Sequence, residues 1–272
     1  MKIALLQTSV FSDKQLNLAS ARRFAEKAAL EGAELAVLPE MFNCPYETEM
    51  FPLFAEEMGG DSWQALRSIA RDTGMVIVGG SIPEREGDRL YNTSFVFDAT
   101  GTQIARHRKT HLFDINISGK QAFKESDTFT PGDGSTTFEA LGHRFGLAIC
   151  FDIRFAEFFR NMALDGAEAI LVPAAFNMTT GPLHWELSFR MRAVDNQCFT
   201  VGVAPARQRN GKYVSYANSI VCDPWGKVLH NSGEEPCMQV VDIDLGLVDE
   251  VRAQLPILSA RRPELYRLNR VE

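Results

Sequence analysis

Ala29-Leu-Glu-Gly-Ala-Glu-Leu-Ala-Val-Leu-Pro-Glu-Met-Phe42 returns without a gap as Ala163-Leu-Asp-Gly-Ala-Glu-Ala-Ile-Leu-Val-Pro-Ala-Ala-Phe176. Both stretches read as the end of a helix, a glycine, a buried strand and a proline. Gly32 and Gly166 suit helix C-caps, and the unbroken apolar runs after them suit strands covered on both faces. A second echo pairs Ser94-Phe-Val-Phe-Asp-Ala-Thr-Gly-Thr-Gln-Ile104 with Ser219-Ile-Val-Cys-Asp-Pro-Trp-Gly-Lys-Val-Leu229, each a hairpin closed by a glycine turn. Two halves of like order predict an α/β fold of two packed sheets with internal pseudo-symmetry. Helices over Asn17–Glu31, Ser62–Asp72, Ala156–Asp165 and His184–Gln197 would cover the outside, giving a four-layer α-β-β-α sandwich. Helix-glycine-strand units share composition, so the echo by itself leaves chance similarity open.

Working outward, the length of 272 residues suits one large domain over residues 1–272, with 245–272 as a C-terminal helix and extended tail. A net charge of −7 offers no broad basic footprint, which argues against nucleic acid or an anionic membrane as the main partner. The opening Met1-Lys-Ile-Ala-Leu-Leu-Gln-Thr8 turns polar too soon for a signal peptide or a membrane span, and a cytoplasmic location is expected. The five cysteines are odd in number and widely spaced, without the pairing of a zinc site or redox dithiol, so reduced thiols are expected. No zinc-protease, phosphate-loop or serine-elbow motif occurs, and neither a metal nor a cofactor is called for.

Candidate chemistry gathers at three strand ends. Cys150 follows the apolar run Gly146-Leu-Ala-Ile149 and opens an amphipathic stretch. A helix start there would lower the thiol pKa and help hold an oxyanion. Glu40 ends Leu35-Ala-Val-Leu-Pro-Glu40, and Lys109 ends Gln103-Ile-Ala-Arg-His-Arg-Lys109. Sites in open α/β sheets collect at the carboxyl ends of strands, so the three can converge. Each also has a plainer reading, as a buried structural thiol, a solvated turn acid and a surface lysine. The echo sets Ala174 to Phe176 at a strand end like that of Glu40, where Phe176 could wall a pocket.

At these residues the chain resembles the nitrilase superfamily of carbon-nitrogen hydrolases, through Leu38-Pro-Glu-Met-Phe42, Arg108-Lys-Thr-His-Leu-Phe113 and Cys150-Phe-Asp-Ile-Arg-Phe155. The resemblance runs from the first strand to about Asp244. Within the superfamily it is nearest to the omega-amidases, through His111-Leu-Phe-Asp-Ile-Asn-Ile-Ser-Gly119, Phe123-Lys-Glu-Ser126, Gly181-Pro-Leu-His-Trp-Glu-Leu187, Arg192-Ala-Val-Asp-Asn196 and Asp223-Pro-Trp-Gly226. It implies the same four-layer fold and a Glu40–Lys109–Cys150 catalytic set. Cys150 would attack an amide carbon to give a thioester, Glu40 would shuttle the proton, and Lys109 with the Phe151 N–H would hold the oxyanion. The resemblance further implies that Glu125 orients Lys109, and that Tyr46, Phe176 and Thr180 line the substrate pocket.

Arg154, one helical turn after Cys150, could grip a substrate carboxylate at two points, or could pair with Asp152 or Glu157 instead. His184, in a first helical turn, could touch substrate or be a cap, and Cys44 is a second thiol without a base. The segment Thr110–Asp133 reads as a long functional loop. The expected reaction is hydrolysis of a small dicarboxylic acid monoamide such as 2-oxoglutaramate or 2-oxosuccinamate. Alternatives are deaminated glutathione, a carbamoylated amine or a nitrile as substrate, or a catalytically silent binding module. A homodimer or higher homo-oligomer is expected through outer helices.

Overall fold

In the computed structural model, which describes residues 1–117 and 121–266, strand β1 (Lys2–Gln7) shows how the sequence builds layers. Ile3 and Leu5 face the core between two sheets, while Ala4 and Leu6 face helices on the other side. A strand covered on both faces has no use for polar alternation, which is why β1 is a continuous apolar run. The same holds in β11 (Ala169–Pro173), where Ala169 and Leu171 face the inter-sheet core and Ile170 and Val172 face helices.

The first half runs β1, α1 (Lys14–Leu30), β2 (Leu35–Val37), α2 (Phe51–Phe54), α3 (Asp61–Thr73), β3 (Val76–Val78), β4 (Ile82–Glu86), β5 (Arg89–Phe97) and β6 (Gln103–Arg108). After β7 (Asp114–Ile117) and β8 (Gln121–Lys124), the second half runs β9 (Thr136–Ala140), β10 (His143–Leu147), α4 (Ala156–Leu164), β11, α5 (Gly181–Asn196), β12 (Phe199–Val203), β13 (Ile220–Cys222) and β14 (Val228–Asn231). The chain then returns as β15 (Cys237–Asp242) to the edge of the first sheet beside β1, and continues into α6 (Gly246–Gln254).

Apart from β4, which also pairs with β5 and has no counterpart, the strand orders β15-β1-β2-β3-β5-β6 and β9-β10-β11-β12-β13-β14 match, including which neighbours are parallel. Register carries the match to single residues: Ile3 pairs with Leu35 as Phe145 pairs with Ala169. Gly101 and Gly226 close the equivalent hairpins at φ of +80° and +79°, a conformation that favours glycine. Three apolar layers, one between the sheets and one under each pair of helices, make the expected four-layer sandwich.

Two expectations need correction. The segment Thr110–Asp133 is not a plain loop: β7 and β8 pair antiparallel, with Asp114 opposite Lys124, and Glu125–Asp127 adds a 3₁₀ turn. Alternation of short apolar residues there was too brief to announce a strand. Nor does an α-helix begin at Cys150. A 3₁₀ turn over Cys150–Arg154 comes first, and α4 starts only at Ala156. The part of the expected tail beyond Tyr266 lies outside the described residues.

Candidate active site

Three strand ends deliver three side chains to one buried point. Glu40 sits three residues past β2, in a turn packed against Gly80, where an added Cβ would lie 2.1 Å from the Pro39 carbonyl oxygen. Lys109 follows β6 directly, its N–H donating to the Asn92 carbonyl at 2.8 Å. Cys150 opens its 3₁₀ turn at φ +45°, a left-handed conformation rare for a residue with a side chain.

Lys109 Nζ donates to Glu40 Oε1 at 2.9 Å and to Glu125 Oε2 at 2.8 Å, with all three side chains buried. Asn92 Nδ2 bridges the same two carboxylates at 2.9 and 3.1 Å. The Phe113 N–H donates to Glu125 at 2.6 Å, and the Tyr46 hydroxyl reaches Glu40 at 3.4 Å. Glu40 Oε2 has no hydrogen-bond partner among the described residues. The Cys150 sulfur accepts from the Ala175 N–H at 3.5 Å.

Electrostatics follow from burial. Burial pushes the Cys150 thiol well above its usual pKa, and the Glu40 charge adds to this while Lys109 opposes it. The helix start anticipated to depress that pKa begins too late in the chain to do so. Burial also acts to lower Lys109, but Glu125 and Glu40 outweigh it and hold the ammonium firmly protonated. Burial raises Glu125 despite Lys109 beside it. The centre therefore holds a fixed cation and a neutral thiol, so activation of the thiol requires proton transfer at the moment of attack.

Phe151, Arg154, Phe176 and Thr180 surround Cys150 in one tight cavity of about 10 Å³, closed by Phe113, Ala175 and Tyr213. Phe176 is at the strand end that the internal echo pointed to. Tyr46 lies elsewhere, with Glu40, in an adjoining cavity of about 200 Å³. Tyr213 lines both cavities, its ring 4.5 Å from that of Tyr46. Cys44 lines the larger one, and burial raises its pKa as well.

Arg154 does not pair with Asp152 or Glu157. Among the described residues no carboxylate lies within ion-pair distance of it, and Asp152 is taken up by His107 and His111. Its guanidinium packs 4.9 Å from the Phe176 ring centre and donates to His184 Nδ1 at 3.1 Å, while His184 itself does not line the cavity around Cys150. Burial lowers the Arg154 pKa from its usual value. Sequence reasoning did not single out Asn92 or Tyr213. The polar triplet Asn92-Thr-Ser94, set between Leu90-Tyr91 and Phe95-Val-Phe97 and buried with them, was the signal for the first. Nothing local marks Tyr213, whose role depends on the fold bringing a distant loop across.

A family model described as carbon-nitrogen hydrolase matches residues 2–253. The omega-amidase NIT2 of Bos taurus is 46% identical over 97% of this chain and 96% of its own length. Among solved structures, Nit3 of Saccharomyces cerevisiae, a member of branch 10 of the nitrilase superfamily, superposes with a TM-score of 0.88 at 38% identity, covering 96% of each chain. A Glu-to-Gln variant of the amidase from Nesterenkonia sp. AN1, carrying the Michael adduct of acrylamide at its active-site cysteine, superposes with a TM-score of 0.75 at 28% identity over 94% of this chain and 98% of that one.

Proposed function

This chain belongs to the carbon-nitrogen hydrolase family and is an amidase, and on that premise we propose that it hydrolyses small dicarboxylic acid monoamides, 2-oxoglutaramate and 2-oxosuccinamate, to the 2-oxo acid and ammonia. The observation that carries this choice is Arg154: a largely buried guanidinium, with no carboxylate beside it among the described residues, facing the same cavity as the Cys150 sulfur. Burying an unpaired cation is costly, and a substrate carboxylate would complete it.

In this reading the Cys150 sulfur attacks the amide carbon while its proton passes to Glu40. Lys109 Nζ and the Phe151 N–H hold the oxyanion, and Glu125 keeps Lys109 aimed. Collapse of the tetrahedral adduct breaks the C–N bond, Glu40 protonates the departing ammonia, and a thioester remains. Water then gives its proton to Glu40 and its oxygen to the acyl carbon, and Cys150 leaves as a thiol. Phe176 and Thr180 complete the walls beside Cys150, and Tyr46 walls the adjoining cavity beside Glu40. A reducing, cytoplasmic setting goes with this chemistry, since it keeps the thiol free.

Residues 1–272 would act as one unit, pairing with a second copy through α5. Leu183, Leu187 and Met191, at 72, 67 and 48% exposure, form an apolar stripe at helical spacing beside the half-exposed Trp225. Light scattering should give twice the 30.3 kDa chain mass, and a monomer would remove the pairing.

The test of the substrate is ammonia release from 2-oxoglutaramate, run beside asparagine and a simple nitrile, for the native chain and Cys150→Ala. Turnover of the 2-oxo amide that vanishes in Cys150→Ala supports the reading. Preference for asparagine or the nitrile overturns it in favour of a sister activity on the same three residues.

A further inference from the structure

The carboxylate of Asp152, wholly buried two residues past the nucleophile, has all its acceptor positions filled. Oδ1 accepts from the His111 N–H at 2.9 Å and from His111 Nδ1 at 2.7 Å. Oδ2 accepts from His107 Nε2 at 3.1 Å and from the Ile149 N–H at 3.0 Å. An ionised carboxylate only accepts, so His107 Nε2 and His111 Nδ1 both act as donors to it. His111 is further fixed by stacking on Phe155, with ring centres 3.6 Å apart and planes 12° from parallel. The Thr136 hydroxyl holds His107 from behind at 3.1 Å.

The placement of these groups along the chain gives them a purpose. His107 and His111 lie two residues before and two after Lys109, and both grip a carboxylate two residues after Cys150. Lys109 hangs from the first sheet and Cys150 from the second. The hydrogen-bonded ring closes across the seam between them. It is also distinct from the Lys109–Glu40–Glu125 cluster, which is confined to the lysine's side.

We propose that Asp152 is a positioning residue, which through His107 and His111 sets the place of the Lys109 ammonium relative to the Cys150 sulfur. The proposal rests on the reading of Cys150 as nucleophile and Lys109 as oxyanion donor. It predicts that Asp152 matters only through Lys109. Among the described residues, four hydrogen bonds hold the Asp152 charge with no lysine or arginine in an ion pair with it, in line with a pKa displaced downward: burial alone would raise it, and the donors from His107, His111 and Ile149 win.

The test uses the full chain and a reagent that needs no knowledge of the amide: iodoacetamide alkylation of Cys150, followed by mass spectrometry, in the native chain, Asp152→Asn, Lys109→Met and the double variant. Expected is a slowing of about tenfold in each single variant and no further slowing in the double variant, since coupled residues are non-additive. Asp152→Asn should also lower kcat on 2-oxoglutaramate while KM stays within about threefold, because Arg154 is untouched. Native-rate alkylation in Asp152→Asn, or losses that multiply in the double variant, overturns the proposal. An unlabelled Cys150 in the native chain removes the nucleophile reading and this proposal together. Absent turnover of 2-oxoglutaramate removes only the substrate reading, and the alkylation arm still decides. Should Asp152→Asn lack a cooperative thermal transition, His111→Ala deletes one of the four hydrogen bonds. An approximately threefold slowing seen only when Lys109 is present then supports the proposal, and a native rate overturns it.

Discussion

Lys109 and Glu125 meet at 2.8 Å with neither side chain exposed, while Glu40 holds the other side of the same ammonium at 2.9 Å. One of the two carboxylates is therefore surplus to charge balance. Glu125→Gln should keep the cavity filled and leave Lys109 paired with Glu40. We expect thermal unfolding to shift by less than about 4 °C while kcat falls on the order of 100-fold, because the lysine loses its aim. Glu125→Ala also strands the Phe113 N–H and should cost about 2–4 kcal/mol in denaturant unfolding.

The thiol predicts its own pH profile. With the Cys150 pKa pushed above the ordinary 9.0 by burial and by Glu40, the free enzyme holds a neutral thiol near neutrality. Alkylation by iodoacetamide should therefore climb continuously between about pH 6 and about pH 9, without the low-pH plateau of a preformed thiolate. Stability has a matching sign. Above the ordinary thiol value the unfolded chain sheds a proton that the native chain keeps, so this group's contribution declines as pH rises through that range. A rate already level at mildly acid pH would contradict both.

Arg154→Met should cut deeply into the use of amides that carry a carboxylate and little into those that do not. We expect KM for 2-oxoglutaramate to rise on the order of 10- to 100-fold, with hydrolysis of a neutral short amide nearly unchanged. Initial-rate measurements on the two substrates separate the effects. Equal losses on both would assign Arg154 a structural role.

Gly80→Ala tests the support of the acid from behind. The new Cβ would fall 2.1 Å from the Pro39 carbonyl oxygen, at a φ of +56° that strains any side chain. Since Pro39 leads into Glu40, we expect a loss of about 2–4 kcal/mol in stability together with a fall in kcat, read by thermal unfolding and ammonia release.

Much of this is legible in the sequence itself. The strands buried on both faces announce themselves as unbroken apolar runs, and their repetition sets out the paired sheets. Glu40 and Cys150 each follow such a run, Lys109 follows the more polar Gln103–Arg108, and the fold brings all three together. Less legible were features whose cause lies across the molecule. The pairing of β7 with β8 needs partners that only the folded chain supplies. The displaced thiol pKa comes from burial against Glu40, 110 positions earlier in the chain. Asp152 read as a possible partner for its near neighbour Arg154, yet the side chains that take it up are His107 in β6 and His111 just beyond it. Local sequence reveals what a segment prefers, and long-range encounter decides what surrounds it.

The doubled architecture also divides labour. One copy of the repeated unit carries the acid and, further on, the lysine; the other carries the sulfur and the arginine. Where the first has Glu40, the second has Ala174. Neither half is a reagent on its own, and the bond-breaking centre exists only as a joint between them. The apolar layer of Leu35, Val37, Phe145 and Leu171 thus acts as the spacer of a chemical instrument. Volume changes there would be felt first as altered rate and only later as lost fold.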